Sequence, residues 1–142
     1  MEYTFDKFIA DVDNIVDCIT RDEWKPELIV GVQRGGLIPA VMLSHKLGIK
    51  MKTLSWSTRD SVDKEIPFGV KLAHDYSKKN ILVVDDIIDS GLTIREIKQQ
   101  MPNARFASLI WNIKEHQGAP HYFGRTLDRS IDQEWVNFWW EK

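Results

Sequence analysis

Apolar residues recur along this chain in two rhythms, and the alternation between them constrains the fold before any chemistry is considered. From Thr4 to Thr20, Phe5, Phe8, Ile9, Val12, Ile15, Val16 and Ile19 follow a helical period, predicting an amphipathic helix with Thr4 as its N-cap. Leu28-Ile29-Val30-Gly31-Val32 is instead a short apolar run, the mark of a strand buried on both faces. A helix from Leu37 to Leu47 follows, closed by Gly48. The alternation continues with a strand near Lys50 to Trp56, the run Ile81-Leu82-Val83-Val84 and a helix from Leu92 to Met101 stopped by Pro102. A strand from Arg105 to Asn112 completes it. Strands alternating with helices predict an α/β fold with a doubly wound parallel sheet. No repeat, low-complexity tract or linker interrupts the pattern, so residues 1–142 read as one domain.

The rhythm stops between Ser57 and Asp75. That stretch carries Arg59, Asp60, Asp63, Lys64 and Glu65 and breaks at Pro67-Phe68-Gly69. So long a polar segment in a short chain favours a functional lid over a simple surface hairpin.

Composition narrows the partners. A net charge of −2 gives no global attraction to nucleic acid or to an anionic membrane, so anionic ligands must be drawn in by local loops. The single cysteine, Cys18, cannot form an internal disulfide, and its helical, apolar setting predicts a buried thiol. There is no signal-peptide pattern and no apolar run long enough to span a bilayer, which makes the cytoplasm the expected location. The histidines lack metal-ligand spacing, and neither glycine loop has the Gly-Lys-Ser/Thr of a P-loop.

The chemistry concentrates at Ile81-Leu82-Val83-Val84-Asp85-Asp86-Ile87-Ile88-Asp89-Ser90-Gly91-Leu92-Thr93. A buried strand runs into paired acids, then into a small-residue loop that opens a helix. Gly91 permits a positive φ and close approach of backbone to an anion. The first amides of the helix have no intrahelical partners and can point at a phosphate, and Ser90 and Thr93 add hydroxyl donors. Asp85 and Asp86 repel phosphate; they suit vicinal sugar hydroxyls, or a divalent cation held directly or through water. The combination predicts a sugar-phosphate site at the edge where open α/β sheets bind ligands. A second strand–loop–helix junction, Gln33-Arg34-Gly35-Gly36, follows the Leu28 strand and adds a basic side chain.

Residues Ile81 to Thr93 resemble, over their full length, the phosphoribosyl-pyrophosphate (PRPP) signature of the type I phosphoribosyltransferases. Gln33 to Gly36 resembles that family's pyrophosphate loop. The resemblance implies ribose binding by Asp85 and Asp86 and phosphate binding by Asp89, Ser90, Gly91, Leu92 and Thr93. It further implies proton handling by Asp89, pyrophosphate binding by Gln33, Arg34, Gly35 and Gly36, and Mg²⁺ as cofactor, near Asp85 and Asp86. Arg59 is the lid residue expected to reach the phosphates. The C-terminal stretch Gln133 to Glu141, with Trp135, Trp139 and Trp140, resembles the small hood of the bacterial xanthine-guanine phosphoribosyltransferase group. By that match Trp135 stacks on a purine, Val136 offers backbone contacts, and Trp140-Glu141 is structural.

One position departs from the family. Its purine enzymes carry a lysine after the last core strand to read the exocyclic oxygen. Here Asn112 stands in nearly that register and Lys114 two residues later. Arg125 and Arg129 read as surface charges in preference to an anion contact. The implied function is transfer of ribose 5-phosphate from PRPP to a 6-oxopurine by a homodimer or homotetramer, with adenine and orotate as weaker acceptors. A non-catalytic PRPP or nucleotide sensor of the same fold, or an enzyme with a non-purine acceptor, are the alternatives.

Overall fold

The structure, a computed structural model, describes residues 1–56, 78–114 and 118–142. Arg59 and the whole of the expected lid lie outside the described residues. The elements are β1 (Glu2–Tyr3), α1 (Phe5–Arg21), β2 (Leu28–Gln33), α2 (Leu37–Leu47), β3 (Met51–Ser55), β4 (Ile81–Ile88), α3 (Leu92–Gln100), β5 (Arg105–Asn112), β6 (Tyr122–Leu127) and β7 (Asn137–Phe138). A 3₁₀ turn, Trp139–Glu141, follows β7. Five strands form a parallel sheet in the order β3-β2-β4-β5-β6, while β1 and β7 pair with each other. Among the described residues, no helix is long and apolar enough to cross a membrane.

The apolar runs are continuous because both faces of the sheet are covered. Ile29, Leu82, Val84, Leu109 and Ile110 join Phe8, Val12, Ile15 and Ile19 of α1 and Ala40 and Leu43 of α2 in one core. Leu28, Val30, Val32, Ile81 and Val83, one step out of phase, join Ile94 and Ile97 of α3 in a second. Period-two alternation therefore sends every second residue of β2 and β4 to a different helix layer.

The local signals behave as their chemistry dictates. Thr4 caps α1, its hydroxyl accepting from the Lys7 amide at 3.2 Å, and Gly48 ends α2 in the left-handed conformation at φ +66°. Cys18 departs from expectation: it is exposed. The buried stripe of α1 runs through Phe8, Asp11, Val12, Ile15 and Ile19, and Cys18 lies beside it on the solvent side. Strands β1, β6 and β7 leave no apolar rhythm to read. Two are two residues long, and β6 (Tyr-Phe-Gly-Arg-Thr-Leu) is an edge strand only partly covered.

Candidate active site

Strand order reverses at β2: its successor β3 lies on one side of it and β4 on the other. The loops leaving the C-terminal ends of β2 and β4 consequently diverge to opposite faces and leave a crevice between them, where open parallel sheets bind ligands. Both candidate loops border that crevice.

Strand β4 runs further than its apolar run suggests. Pairing with β2 stops at Val84, yet pairing with β5 carries on through Ile88. Asp85 and Asp86 thus belong to a strand end bonded on one side only, with the other side open to the crevice. The Asp85 carboxylate accepts from the Asp86 amide at 2.9 Å, and that of Asp86 from the Ile87 amide at 2.8 Å. Burial, reinforced by the neighbouring Asp86 charge, holds the Asp85 carboxyl well above the usual carboxylate range. Asp86 is raised too, again chiefly by burial. A pair so disfavoured as anions gains from sugar hydroxyls or a cation placed against it.

The two loops touch. A Cβ on Gly35 would lie 2.0 Å from Asp86 Oδ2, so only glycine lets the β2 loop close on the acid. The Gln33–Arg34 peptide in this loop is cis. The loop then enters α2 at Gly36, and among the described residues Arg34 has no hydrogen-bond or ion-pair partner for its guanidinium. Arg34, Gly35 and Asp86 share a groove of about 560 Å³ with Trp140, Glu141 and Lys142. On the other side, Gly91 takes φ +78° at the start of α3, and the Ser90 hydroxyl accepts from the Leu92 amide at 3.3 Å. Asp85, Asp89, Ser90, Gly91 and Thr93 line a cavity of about 120 Å³. Two helix N-termini therefore flank one acidic strand end.

A cation here fits the donors in one way. Among the described residues no three His, Cys, Asp or Glu side chains converge. Asp85 and Asp86 would serve a Mg²⁺ ion only together with oxygens of a bound substrate.

Asp89 has the most elaborate surroundings. Its two carboxylate oxygens accept from Arg129 Nε at 3.1 Å and Nη2 at 2.9 Å, a bidentate fork. Arg129 Nη1 donates to the carbonyls of Asp132 and Glu134, immediately before Trp135. Arg129 is thus no loose surface charge. Neither is Arg125, which pairs with buried Asp11 at 2.7 Å. Both belong to ion pairs because β6 and the turn after it lie against α1 and the β4 loop, a neighbourhood that the one-dimensional pattern does not contain.

The remaining expected base contacts divide. Asn112 is buried and fully engaged: Nδ2 donates to the carbonyl of Asp89 at 3.1 Å and to its carboxylate at 3.4 Å. Its Oδ1 accepts from the amides of Lys114 at 3.2 Å and Arg129 at 3.3 Å. The Lys114 ammonium lies 3.8 Å from Asp128. Trp135 is 66% exposed, a flat face open to a ligand, while Val136 is buried. Trp139 and Trp140 instead pack on Phe8, and Trp140 stacks on Phe138 at 4.6 Å.

Comparison with known proteins identifies the family and the fold. The model of the phosphoribosyl transferase domain family matches residues 4–132. A xanthine-guanine phosphoribosyltransferase from Gluconobacter oxydans is 28% identical over 117 residues, 80% of this chain and 67% of that protein. A purine phosphoribosyltransferase from Pyrococcus horikoshii superposes with a TM-score of 0.77 at 25% identity, covering 100% of this chain and 94% of the other. The xanthine-guanine-hypoxanthine phosphoribosyltransferase of Helicobacter pylori shares the fold, with a TM-score of 0.73 at 22% identity, over 99% and 92% of the two chains.

Proposed function

This chain belongs to the phosphoribosyl transferase domain family, and from that membership we propose that it transfers the 5-phosphoribosyl group of PRPP to a 6-oxopurine, releasing pyrophosphate, in purine salvage. The observation that carries the reading is the pair of anion cradles on either side of one acidic strand end. PRPP has the matching shape: a phosphate at one end, a pyrophosphate at the other, and two sugar hydroxyls between. Hypoxanthine, guanine and xanthine are the acceptors proposed, in keeping with the names of the similar proteins.

In this reading the amides and hydroxyls from Ser90 to Thr93 hold the 5-phosphate, and Gln33, Arg34, Gly35 and Gly36 hold the pyrophosphate. Asp85 and Asp86 accept hydrogen bonds from the ribose hydroxyls, which offsets the cost of their burial. Mg²⁺ would be held by Asp85 and Asp86 together with oxygens of the substrate, and would supply charge neutralisation for the leaving group. The bond from C1 of the ribose to pyrophosphate breaks with its electron pair going to pyrophosphate. A ring nitrogen of the purine then bonds to the electron-poor carbon. Asp89, on the base side of the loop, orients the purine and handles its proton. Trp135 stacks on the base, Val136 meets its edge through the backbone, and Arg59 closes over the phosphates. A cytoplasmic homodimer or homotetramer is the assembly proposed.

The test is pyrophosphate release from PRPP and Mg²⁺ with hypoxanthine, guanine, xanthine and adenine offered separately, with Asp89→Asn as control. Release with an oxopurine, lost in the variant, is the expected result. No release with any base, despite measurable PRPP binding, would overturn the transfer reading and bring a PRPP-sensing protein forward.

A further inference from the structure

Both side chains offered by the end of β5 have partners within the protein. All of the hydrogen-bonding contacts of Asn112 are internal, and Lys114 turns to Asp128. The cation that does reach this corner comes from beyond β6. Four of the five N–H groups of Arg129 are committed: Nε and one of Nη2 to Asp89, and both of Nη1 to the carbonyls of Asp132 and Glu134. Its backbone amide also donates to Asn112. One side chain thus joins the proton-handling acid of the β4 loop to the segment that carries Trp135.

We propose that Arg129 is the positioning residue of the base site, fixing Asp89 and the Trp135 segment to each other as one unit; the proposal rests on the transfer reading and deepens it. Asp89 sits on a short loop, and its side chain is 46% exposed. A carboxylate so placed rotates freely unless a fork holds it. The planar guanidinium sets both the orientation of the carboxylate plane and its distance from the carbonyls before Trp135. A purine lying on Trp135 therefore meets Asp89 at a preset height, and misplacement by about an ångström is enough to cost on the order of a hundredfold in rate.

The experiment compares wild type with Arg129→Met, which keeps the stem and removes the fork, and with Arg129→Lys. Each is assayed for kcat and KM toward base and toward PRPP. Hydrogen exchange is measured on ligand-free protein, including Asp89→Asn and the Asp89→Asn/Arg129→Met double variant. The expected kinetic result is a loss of about tenfold or more in kcat/KM for the base with Arg129→Met. The KM for PRPP should stay within about twofold, and lysine, a point charge without a fork, should restore only part of the loss. Exchange should rise in both the Ile87–Asp89 and the Ser130–Val136 segments, and the double variant should rise no further than either single one. An equal loss toward PRPP and base, full rescue by lysine, or unchanged exchange on either side would overturn the proposal. A wild-type protein that releases no pyrophosphate with any base would sink the transfer reading alone, since the exchange result still decides whether Arg129 couples the two segments.

Discussion

Two aspartate–arginine pairs stand on neighbouring stretches of this chain and do different work. Asp11–Arg125 and Asp89–Arg129 draw their arginines from positions four apart, and the shortest N···O distances are alike, 2.7 and 2.9 Å. Asp11, however, is 1% exposed. One oxygen of it accepts from both Arg125 Nε and the Tyr3 hydroxyl, and burial, helped by Asp11, pushes that hydroxyl's pKa far up. The pair rivets α1 to β1 and β6. Asp89 instead presents its carboxylate at the lip of a cavity, with both oxygens in the fork. Identical residue types give a structural tie where water is excluded and a solvent-accessible clamp where it is not, because solvent access sets both the cost of an unpaired charge and its availability to a ligand.

The comparison predicts opposite profiles. Asp11→Ala should be the costliest change, about 3 kcal/mol in urea unfolding, since it strands the Tyr3 hydroxyl and the Arg125 charge; a loss below about 1 kcal/mol would mean the pair is no rivet. Gly124→Ala should cost about 2 kcal/mol, because its Cβ would stand 2.3 Å from that of Asp11. Thermal melting of that variant reads the effect, and an unshifted melting temperature would show that α1 can move away from β6.

Asp85 supplies a third case, an acid with another acid beside it. Its folded-state pKa lies above the unfolded value, so the folded chain binds more protons in between, and stability falls as pH rises through that window. Asp85→Asn should therefore stabilise the protein by about 1 kcal/mol near neutral pH, with an advantage that widens upward from the ordinary carboxylate value of 3.8, while PRPP binding is lost. A pH-independent difference in melting would contradict this account. Arg129→Met should move stability least, by under about 1 kcal/mol, though it damages the reaction most selectively. Equal destabilisation by Arg129→Met and Asp11→Ala would erase the distinction between clamp and rivet.

Much of the candidate site was legible because the chemistry proposed for it is local. The amides that cradle a phosphate belong to consecutive residues, so Asp85 to Thr93 and Gln33 to Gly36 had to be written as contiguous strings, and the buried strands leading into them announce themselves as apolar runs. The period of α1, the Thr4 cap and the Gly48 stop are equally local. What escaped the one-dimensional pattern is what depends on distant neighbours. The exposure of Cys18 follows from how α1 is rotated against the sheet. The extension of β4 through both acids depends on β5, and the existence of β6, β1 and β7 depends on the partners they pair with.

The arginines make the division clearest. The sequence by itself determined the doubly wound sheet and the two ligand loops, since periodicity and backbone chemistry are carried by residues adjacent in the chain. Only the tertiary structure decided that Arg125 and Arg129 are not surface charges, and that one meets a buried acid and the other a half-exposed one. An ion pair across 114 or 40 residues leaves no trace in spacing or composition; it exists only once packing has brought both ends together and settled how much water remains between them.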